Sequence, residues 1–152
     1  MIRSKQSGFS LVELMIVVAI MAILAAIAIP SFLKFQTKAK ESEARNNLAA
    51  IRTCQESYRA ENDKYHPCDA SPGTIPLADS LAWEDTGVAD VSMFNDIGFE
   101  PSGKVRFQYE VVSLAPMITY TAYARGNLTG DEVVTFTMTN DNPKPERTTA
   151  AP

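Results

Sequence analysis

The 152-residue sequence is poor in the side chains that carry most enzyme chemistry, with one histidine, two cysteines and one tryptophan. The single histidine, His66, leaves one possible base for Ser–His–acid or Cys–His catalysis, and it lies in a proline-rich stretch. Two cysteines and one histidine make no convincing tetrahedral metal set. Positive charge is also short, with 14 Lys and Arg against 18 Asp and Glu, so there is no electrostatic footprint for nucleic acid. We therefore expect no enzyme active site, no cofactor and no specific nucleic-acid partner.

Charge is missing altogether from residues 14–29, LMIVVAIMAILAAIAI. Extended back to Leu11, this run reaches the roughly 20 residues that a membrane-spanning helix needs. It is longer than the apolar segment of a secretory signal peptide, and an uncleaved signal anchor is the simplest alternative to a specialised span. Basic residues flank the run on both sides, so charge alone leaves its orientation open: Arg3 and Lys5 precede it, and Lys34, Lys38 and Lys40 follow it.

One helical pattern extends from Phe9 to about Asn62 and is interrupted only by Pro30. Its 54 residues would span roughly 80 Å at the rise of an α-helix. Pro30 removes one backbone hydrogen bond, so we expect a bend or local loosening there. The second half of the pattern carries an apolar stripe at spacings of three and four, made of Ala44, Leu48, Ile51, Cys54, Gln55 and Tyr58.

The remainder of the chain predicts a small antiparallel sheet. Residues 65–89 are predicted to form a loop, and a short helix follows that Asp90 or Ser92 caps and Gly98 ends. The segments KVRFQYEV, ITYTAYAR and EVVTFTMT then alternate apolar and polar residues, which predicts a three-stranded meander. The helical stripe is the available cover for one face of that sheet. The tail NDNPKPERTTAAP has little to bury and is expected to be mobile.

The stretch KQSGFSLVELMIVVAIMAILAAIAIP, residues 5–30, resembles the N-terminus of type IV pilins and their pseudopilin relatives. A basic leader ends at Gly8, the aromatic Phe9 follows, Glu13 comes four residues later, and Pro30 closes the uncharged run. The short leader and Phe9 resemble class a pilins. This resemblance implies the α+β type IV pilin fold, in which a long N-terminal helix packs on a small antiparallel meander. The implied divisions are a leader (1–8), a transmembrane and filament-core helix (9–30), its amphipathic half (31–64) and a globular head (65–152).

The resemblance also implies how the chain is processed, inserted in the membrane and assembled. A prepilin peptidase would cleave after Gly8 at the cytoplasmic face, Phe9 would be N-methylated, and the single-pass span would sit in the inner membrane. The assembly machinery would then draw the chain into a homo-oligomeric extracellular pilus for adhesion or motility, as its major subunit. The alternatives are a minor pilin or a type II secretion pseudopilin, and, in another class, a monomeric membrane-anchored domain. Trp83 stands in AWED rather than in the DPWG segment of major pseudopilins, which favours a pilus.

Glu13 is a carboxylate inside the apolar run, where it costs about 2.5–3.5 kcal/mol on insertion scales. Cleavage after Gly8 would create an amine at Phe9, one helical turn away. In a stack of identical helices, the amine of one copy can meet Glu13 of its neighbour, and an unpaired buried charge is heavily penalised. We therefore predict that Phe9 and Glu13 form the assembly pair, with Pro30 part of the same segment. The alternative is a glutamate that snorkels to the interface.

Two further sets of residues carry weaker signals. A disulfide between Cys54 and Cys68 would close a 15-residue segment and contribute roughly 3 kcal/mol. The alternative is two free thiols. In the segment GNLTGDE, Asn127, Asp131 and Glu132 offer oxygen ligands for calcium, but a plain hairpin turn is favoured there. Aromatic side chains along the helix are compatible with a role in electron transport. Packing in the protein core is the simpler interpretation.

Overall fold

The computed structural model describes residues 8–77, 79–83, 92–128, 130 and 132–149. The chain forms two compact units, Met1–Gln36 and Thr37–Pro152. Helix α1, Leu11–Asn62, contributes residues to both units, and Pro30 lies inside it without ending it. The predicted long helix is therefore confirmed, and its helical assignment continues through the proline.

The unit Thr37–Pro152 contains a five-stranded antiparallel sheet. Its strands are β1 Cys68–Ser71, β4 Gln108–Val112, β5 Thr121–Asn127, β6 Val133–Thr139 and β7 Glu146–Thr149. Their order across the sheet is β1-β4-β5-β6-β7. A second pair joins β2 Leu81–Ala82 to β3 Lys104–Val105, and a short helix α2 covers Ser92–Asp96. The predicted meander corresponds to β4, β5 and β6, which pair consecutively and antiparallel.

The core of this unit lies between the sheet and the second half of α1. Alternate residues of a strand point to the same face, and the predicted inward rows are buried: Phe107, Tyr109 and Val111; Tyr120, Ala122 and Ala124; Val134, Phe136 and Met138. The helical stripe covers them through Ala44, Leu48 and Ile51, each of which is fully buried. The α+β packing predicted from periodicity is confirmed.

Aromatic side chains fill the core beneath α2. Trp83 contacts Phe94 and Phe99 edge-on, with ring centroids 5.2 and 5.7 Å away. Such pairs contribute about 0.5–1.5 kcal/mol beyond the area they bury. Gly98 follows the helix with φ of 75°, the left-handed conformation that glycine adopts at helix C-termini. The predicted end of the short helix is thus confirmed, whereas Asp90, one of its two proposed caps, lies outside the described residues.

Three strands form where the sequence predicted a loop and a mobile tail. Strands β1 and β2 lie within residues 65–89. Strand β1 pairs with β4 through Cys68 and Val111, and β2 pairs with β3. Strand β7 lies in the tail and pairs with β6 over four residue pairs. The side chains of β7 are largely exposed, so backbone hydrogen bonds rather than apolar burial hold it, and hydrophobic periodicity could not have indicated it. Arg147 adds an ion pair to Glu41 of α1 at 3.6 Å.

Two residues of the predicted meander differ from their expected sides. Ile118 was expected to face the core but is 56% exposed, because it lies in the β4–β5 connection and β5 begins only at Thr121. Gln108 was expected to face solvent but is buried, and its side-chain amide donates to the carbonyl oxygen of Pro72 at 2.8 Å. A buried amide is tolerated when it has such a partner.

Gly126 in β5 is a position where the addition of one methyl group is expected to destabilise the head. A Cβ there would lie 2.5 Å from the Arg106 carbonyl oxygen and 2.8 Å from Phe107 Cδ1. We expect Gly126→Ala to lower the free energy of unfolding by about 1–3 kcal/mol, the usual cost of overpacking. Thermal unfolding followed by circular dichroism measures this, with Ser102→Ala in an exposed loop as the control. Equal melting temperatures for the two variants would contradict the packing described here.

Candidate processing and assembly site

The residues before α1 form a cap on its first turn. Ser10 precedes the helix, and its carbonyl oxygen accepts the first helical hydrogen bond from Leu14 N at 3.3 Å. Its hydroxyl oxygen accepts from the Glu13 amide at 3.1 Å, while the Ser10 amide donates to Glu13 Oε2 at 2.9 Å. This reciprocal arrangement is a capping box, which satisfies two amide groups that the helix itself cannot. Glu13 therefore has a structural partner within its own chain.

The sequence carried the signal for this cap, but our interpretation of Glu13 missed it. A serine followed three residues later by glutamate, ahead of an apolar run, is the signature of a capping box. We interpreted the acid through its cost in the span, its pairing with a neighbouring copy and snorkelling to the interface, and did not assign Ser10 as its partner. The capping bond uses one carboxylate oxygen, Oε2, so it explains how a single chain tolerates the acid and leaves its pairing in an assembly to be proposed.

The helix that follows the cap has an apolar surface with no buried residue in its first half. Among the described residues, α1 is the one helix long and apolar enough to cross a membrane, and none of its most apolar 18-residue window is buried. Ile23 and Leu24, for example, are 65% and 62% exposed. A contiguous apolar surface of this size marks a membrane or protein interaction site. It indicates that the helix anchors the chain in a membrane or packs against other chains.

Phe9 and Gly8 lie immediately before the cap. Phe9 is 77% exposed, and a Cβ added to Gly8 would meet no atom within 4 Å. Residues 1–7 lie outside the described residues. Gly8 and Phe9 are both exposed, so the bond between them is open to solvent beside the capped helix terminus.

Comparison with known proteins identifies this segment. Residues 3–29 match the family model of the prokaryotic N-terminal methylation motif. The chain is 40% identical over 111 residues to the type IV major pilin protein PilA of Myxococcus xanthus, a match that covers 73% of this chain and 39% of that protein. The N-terminal segment therefore carries the methylation motif, and the longer match makes the chain similar to a type IV major pilin.

Other pilin-family relatives come from both branches. The type II secretion system core protein G of Aeromonas hydrophila is 28% identical over 97 residues, covering 64% of each chain. The type IV major fimbrial protein FimA of Dichelobacter nodosus is 41% identical over 66 residues, covering 43% of this chain and 41% of that protein. The chain thus spans from about two fifths to about two thirds of the length of these relatives. No solved structure matches it significantly.

The two cysteines are free thiols in the structure, so the predicted disulfide between Cys54 and Cys68 is not formed. Each thiol donates to a different carbonyl group near α2. The Cys68 sulfur lies 3.4 Å from the Met93 carbonyl oxygen, and the Cys54 sulfur lies 3.6 Å from that of Gly98. Burial raises the pKa of the Cys68 thiol to about 12, so this group is protonated and unreactive at neutral pH.

Thiol labelling distinguishes this arrangement from a disulfide. At pH 8 we expect Cys68 of the folded chain to react with iodoacetamide at least about a hundredfold more slowly than an unshielded thiol. The thiolate is the reacting species, and the raised pKa of Cys68 keeps the thiolate scarce. Both cysteines should then react in denaturant without any reductant. Mass spectrometry of the labelled peptides measures both effects. Labelling that requires prior reduction would show that a disulfide had formed.

Of the three residues proposed as calcium ligands, Asn127 and Glu132 lie in the described part of the chain. Asn127 Oδ1 accepts a hydrogen bond from the Gly130 amide at 2.6 Å, as expected for a side chain that closes a turn. Glu132 is exposed, and Asp131 lies outside the described residues. Within the described ranges, no group of three His, Cys, Asp or Glu side chains is placed to hold a metal ion.

Proposed function

We propose that this chain is the major, repeating subunit of a type IV pilus, serving adhesion or motility. Processing after Gly8 and N-methylation of Phe9 prepare it for assembly through the N-terminal helix. The proposal is supported chiefly by one observation, that the apolar surface of the helix over residues 11–35 is unburied. The matched methylation motif covers the same stretch. The role is structural, as expected for this family, and no catalytic step is assigned to the chain.

Before assembly, the apolar segment would lie in the inner membrane as a single span. The exposed apolar side chains would lie in hydrocarbon. The capping box between Ser10 and Glu13 would supply hydrogen-bond acceptors for the first amide groups of the helix. The division into leader (1–8), span (9–30), amphipathic half (31–64) and head (65–152) belongs to this proposal. The prepilin peptidase and the pilus assembly machinery are its expected partners.

In the filament, the helices would lose lipid and bury their apolar surfaces against one another. Small residues along the span permit close approach of neighbouring helices, and alanines occur at positions 19, 22, 25, 26 and 28. An incoming helix brings its processed Phe9 amine to Glu13 of a neighbour. Because an unpaired charge in such surroundings is strongly penalised, the pair would fix the register between subunits. Homo-oligomeric assembly and an extracellular location follow from this.

The second candidate function is a pseudopilin of a type II secretion system, or a minor pilin. It is supported by the similarity to the core protein G of Aeromonas hydrophila, which covers the same share of both chains. The two candidates share the processing and helix packing described above. They differ in abundance and in the cellular defect that loss of the chain would cause.

Mass spectrometry of filaments sheared from the cell surface tests the main proposal. The chain should dominate the preparation, its N-terminal peptide should begin at Phe9, and that residue should carry one methyl group. A chain that is scarce in the filaments, or whose loss blocks protein export while leaving pili intact, would support the second candidate. A chain that keeps residues 1–8 and stays in the membrane would contradict both.

A further inference from the structure

Helix α1 carries two lysines just beyond its apolar run, Lys34 and Lys38, and both side chains are exposed. In the described part of the chain, neither ammonium group has a hydrogen-bond or ion-pair partner. The next lysine, Lys40, differs from them, because its amine reaches the carbonyl oxygen of Leu128 at 3.4 Å. Two positive charges are therefore left uncompensated where the apolar run ends.

The acidic side chains that follow in the sequence do not neutralise these two lysines. Glu41 pairs with Arg147 at 3.6 Å, and Glu43 pairs with Arg106 at 3.3 Å. Both carboxylates are therefore already used in contacts with other parts of the unit Thr37–Pro152. The two lysines are four residues apart on α1, and like charges at that spacing destabilise a helix. An anion that contacts both ammonium groups would remove this repulsion.

The proposed orientation of the span does not account for these charges. Basic residues next to a span normally remain on the cytoplasmic side, and Arg3 and Lys5 would serve that purpose before processing. Cleavage after Gly8 would remove both of them and leave Lys34 as the first basic side chain of the processed chain. The basic flank that persists would then lie on the side away from the cytoplasm, so a role in orienting the span does not explain it.

The position of the lysines along the helix matches the depth of lipid phosphate groups. Residues 11–29 cover about 28 Å at the rise of an α-helix, close to the roughly 30 Å of hydrocarbon in a bilayer. Lys34 follows Ile29 by five residues, or about 7.5 Å, which is the outer edge of a headgroup layer about 5–8 Å thick. The Cα–Cβ bonds of a helix tilt towards its N-terminus. Both lysines therefore lean back towards the bilayer, and their side chains are long enough to bring the ammonium groups into that layer.

Two aromatic side chains flank Lys34 on the same stretch of α1. Phe32 is 65% exposed and Phe35 is 68% exposed. Phenylalanine and lysine side chains on different faces of one exposed helical segment are typical of segments that lie at a membrane surface. Residues 32–38 thus combine apolar side chains that suit acyl chains with positive charges that suit phosphate groups.

We propose that residues 32–38 bind the headgroups of anionic phospholipids, whose phosphate oxygens accept hydrogen bonds from the ammonium groups of Lys34 and Lys38. Phe32 and Phe35 contact the upper part of the acyl chains. This inference rests on the proposed membrane span, which puts the two lysines at the outer face of the inner membrane. It gives the segment a partner before assembly, and that partner must be released when the helix leaves the lipid.

Lipid binding by the purified full chain in a neutral detergent tests this proposal. Native mass spectrometry measures how much phosphatidylglycerol, which is anionic, the chain retains relative to phosphatidylcholine, which has no net charge. The unmodified chain should prefer phosphatidylglycerol. We expect Lys34→Gln with Lys38→Gln to reduce this preference about thirtyfold, since each basic residue near an anionic surface contributes about 1 kcal/mol.

Two further double variants separate charge at this site from charge elsewhere. Lys34→Arg with Lys38→Arg keeps both positive charges and should keep the preference for phosphatidylglycerol. The matched control is Lys64→Gln with Lys104→Gln, which removes the same charge from two exposed positions away from the span and should also keep it. Circular dichroism confirms that each variant is folded.

Three results would overturn the inference. The first is equal lipid preference in the unmodified chain and the glutamine variant of the two lysines. The second is displacement of phosphatidylglycerol by inorganic phosphate at the same concentration, because a site that takes free phosphate needs no lipid. The third is loss of sheared filaments from the glutamine variant with unchanged lipid binding, which would assign the lysines to an acidic group of a neighbouring chain. Lipid binding is measured on the purified chain, so a failure to form filaments would count against the proposed function alone.

Discussion

Glu13→Gln is expected to abolish filaments while leaving the subunit folded and in the membrane. Glutamine keeps the capping geometry, because Gln serves at the third helical position as Glu does, but it removes the charge. The processed Phe9 amine of an incoming copy would then be buried without a counter-ion. Loss of one partner of a buried pair costs about 3–5 kcal/mol, or roughly two to four powers of ten in subunit affinity.

The measurement is the ratio of sheared filament to membrane-resident subunit, by immunoblot and electron microscopy. Ser10→Ala is the matched control, because it removes the hydroxyl that accepts from the Glu13 amide and keeps the carboxylate. Loss of such a cap costs about 1 kcal/mol, so its filaments should persist near normal levels. Abundant filaments from Glu13→Gln would refute the pairing, and loss of filaments from Ser10→Ala alone would assign Glu13 to capping.

Gly8→Val is expected to block processing and therefore assembly. Glycine lets another backbone approach closely, which a peptidase needs at the bond it cuts, and a β-branched side chain would obstruct it. Within the chain itself the added side chain has room, since a Cβ at position 8 would meet nothing within 4 Å. Any large effect must therefore come from the partner enzyme. An uncleaved chain has no free amine at Phe9 to offer Glu13.

The intact mass of the membrane-resident subunit checks this expectation. The Gly8→Val chain should keep its leader, whereas Ser4→Ala, a change elsewhere in the leader, should be processed normally. No filaments should be recovered from Gly8→Val cells. Recovery of a chain that begins at Phe9 from those cells would show that the peptidase does not read this glycine.

Much of the fold could be predicted because burial leaves a periodic trace. Leu48 and Ile51 recur at helical spacing, and Phe107 and Tyr109 recur at strand spacing, since each set faces the same core. Strand β7 leaves no such trace, because its side chains stay exposed and its stabilisation comes from backbone pairing with β6. Every residue has a backbone carbonyl group and every residue except proline has a backbone N–H, so no side-chain pattern reports these hydrogen bonds.

The candidate site was predictable in its residues but not in its geometry. Gly8, Phe9 and Glu13 stand out by resemblance, whereas the bond from Ser10 to Glu13 depends on where the helix begins. The disulfide prediction failed for a related reason. Spacing along the chain gives the size of the loop that Cys54 and Cys68 would close, but the direction in which each thiol points is set by the carbonyl groups of residues 93 and 98.

The Ser10–Glu13 cap has a consequence for a subunit that waits in lipid. The one carboxylate of the span already accepts a hydrogen bond from the Ser10 amide of the same chain, so an unassembled subunit would be under little pressure to pair with whichever ammonium group it meets. Joining the proposed fibre would then exchange this partner for another, and a subunit released from the fibre would return to it unaided.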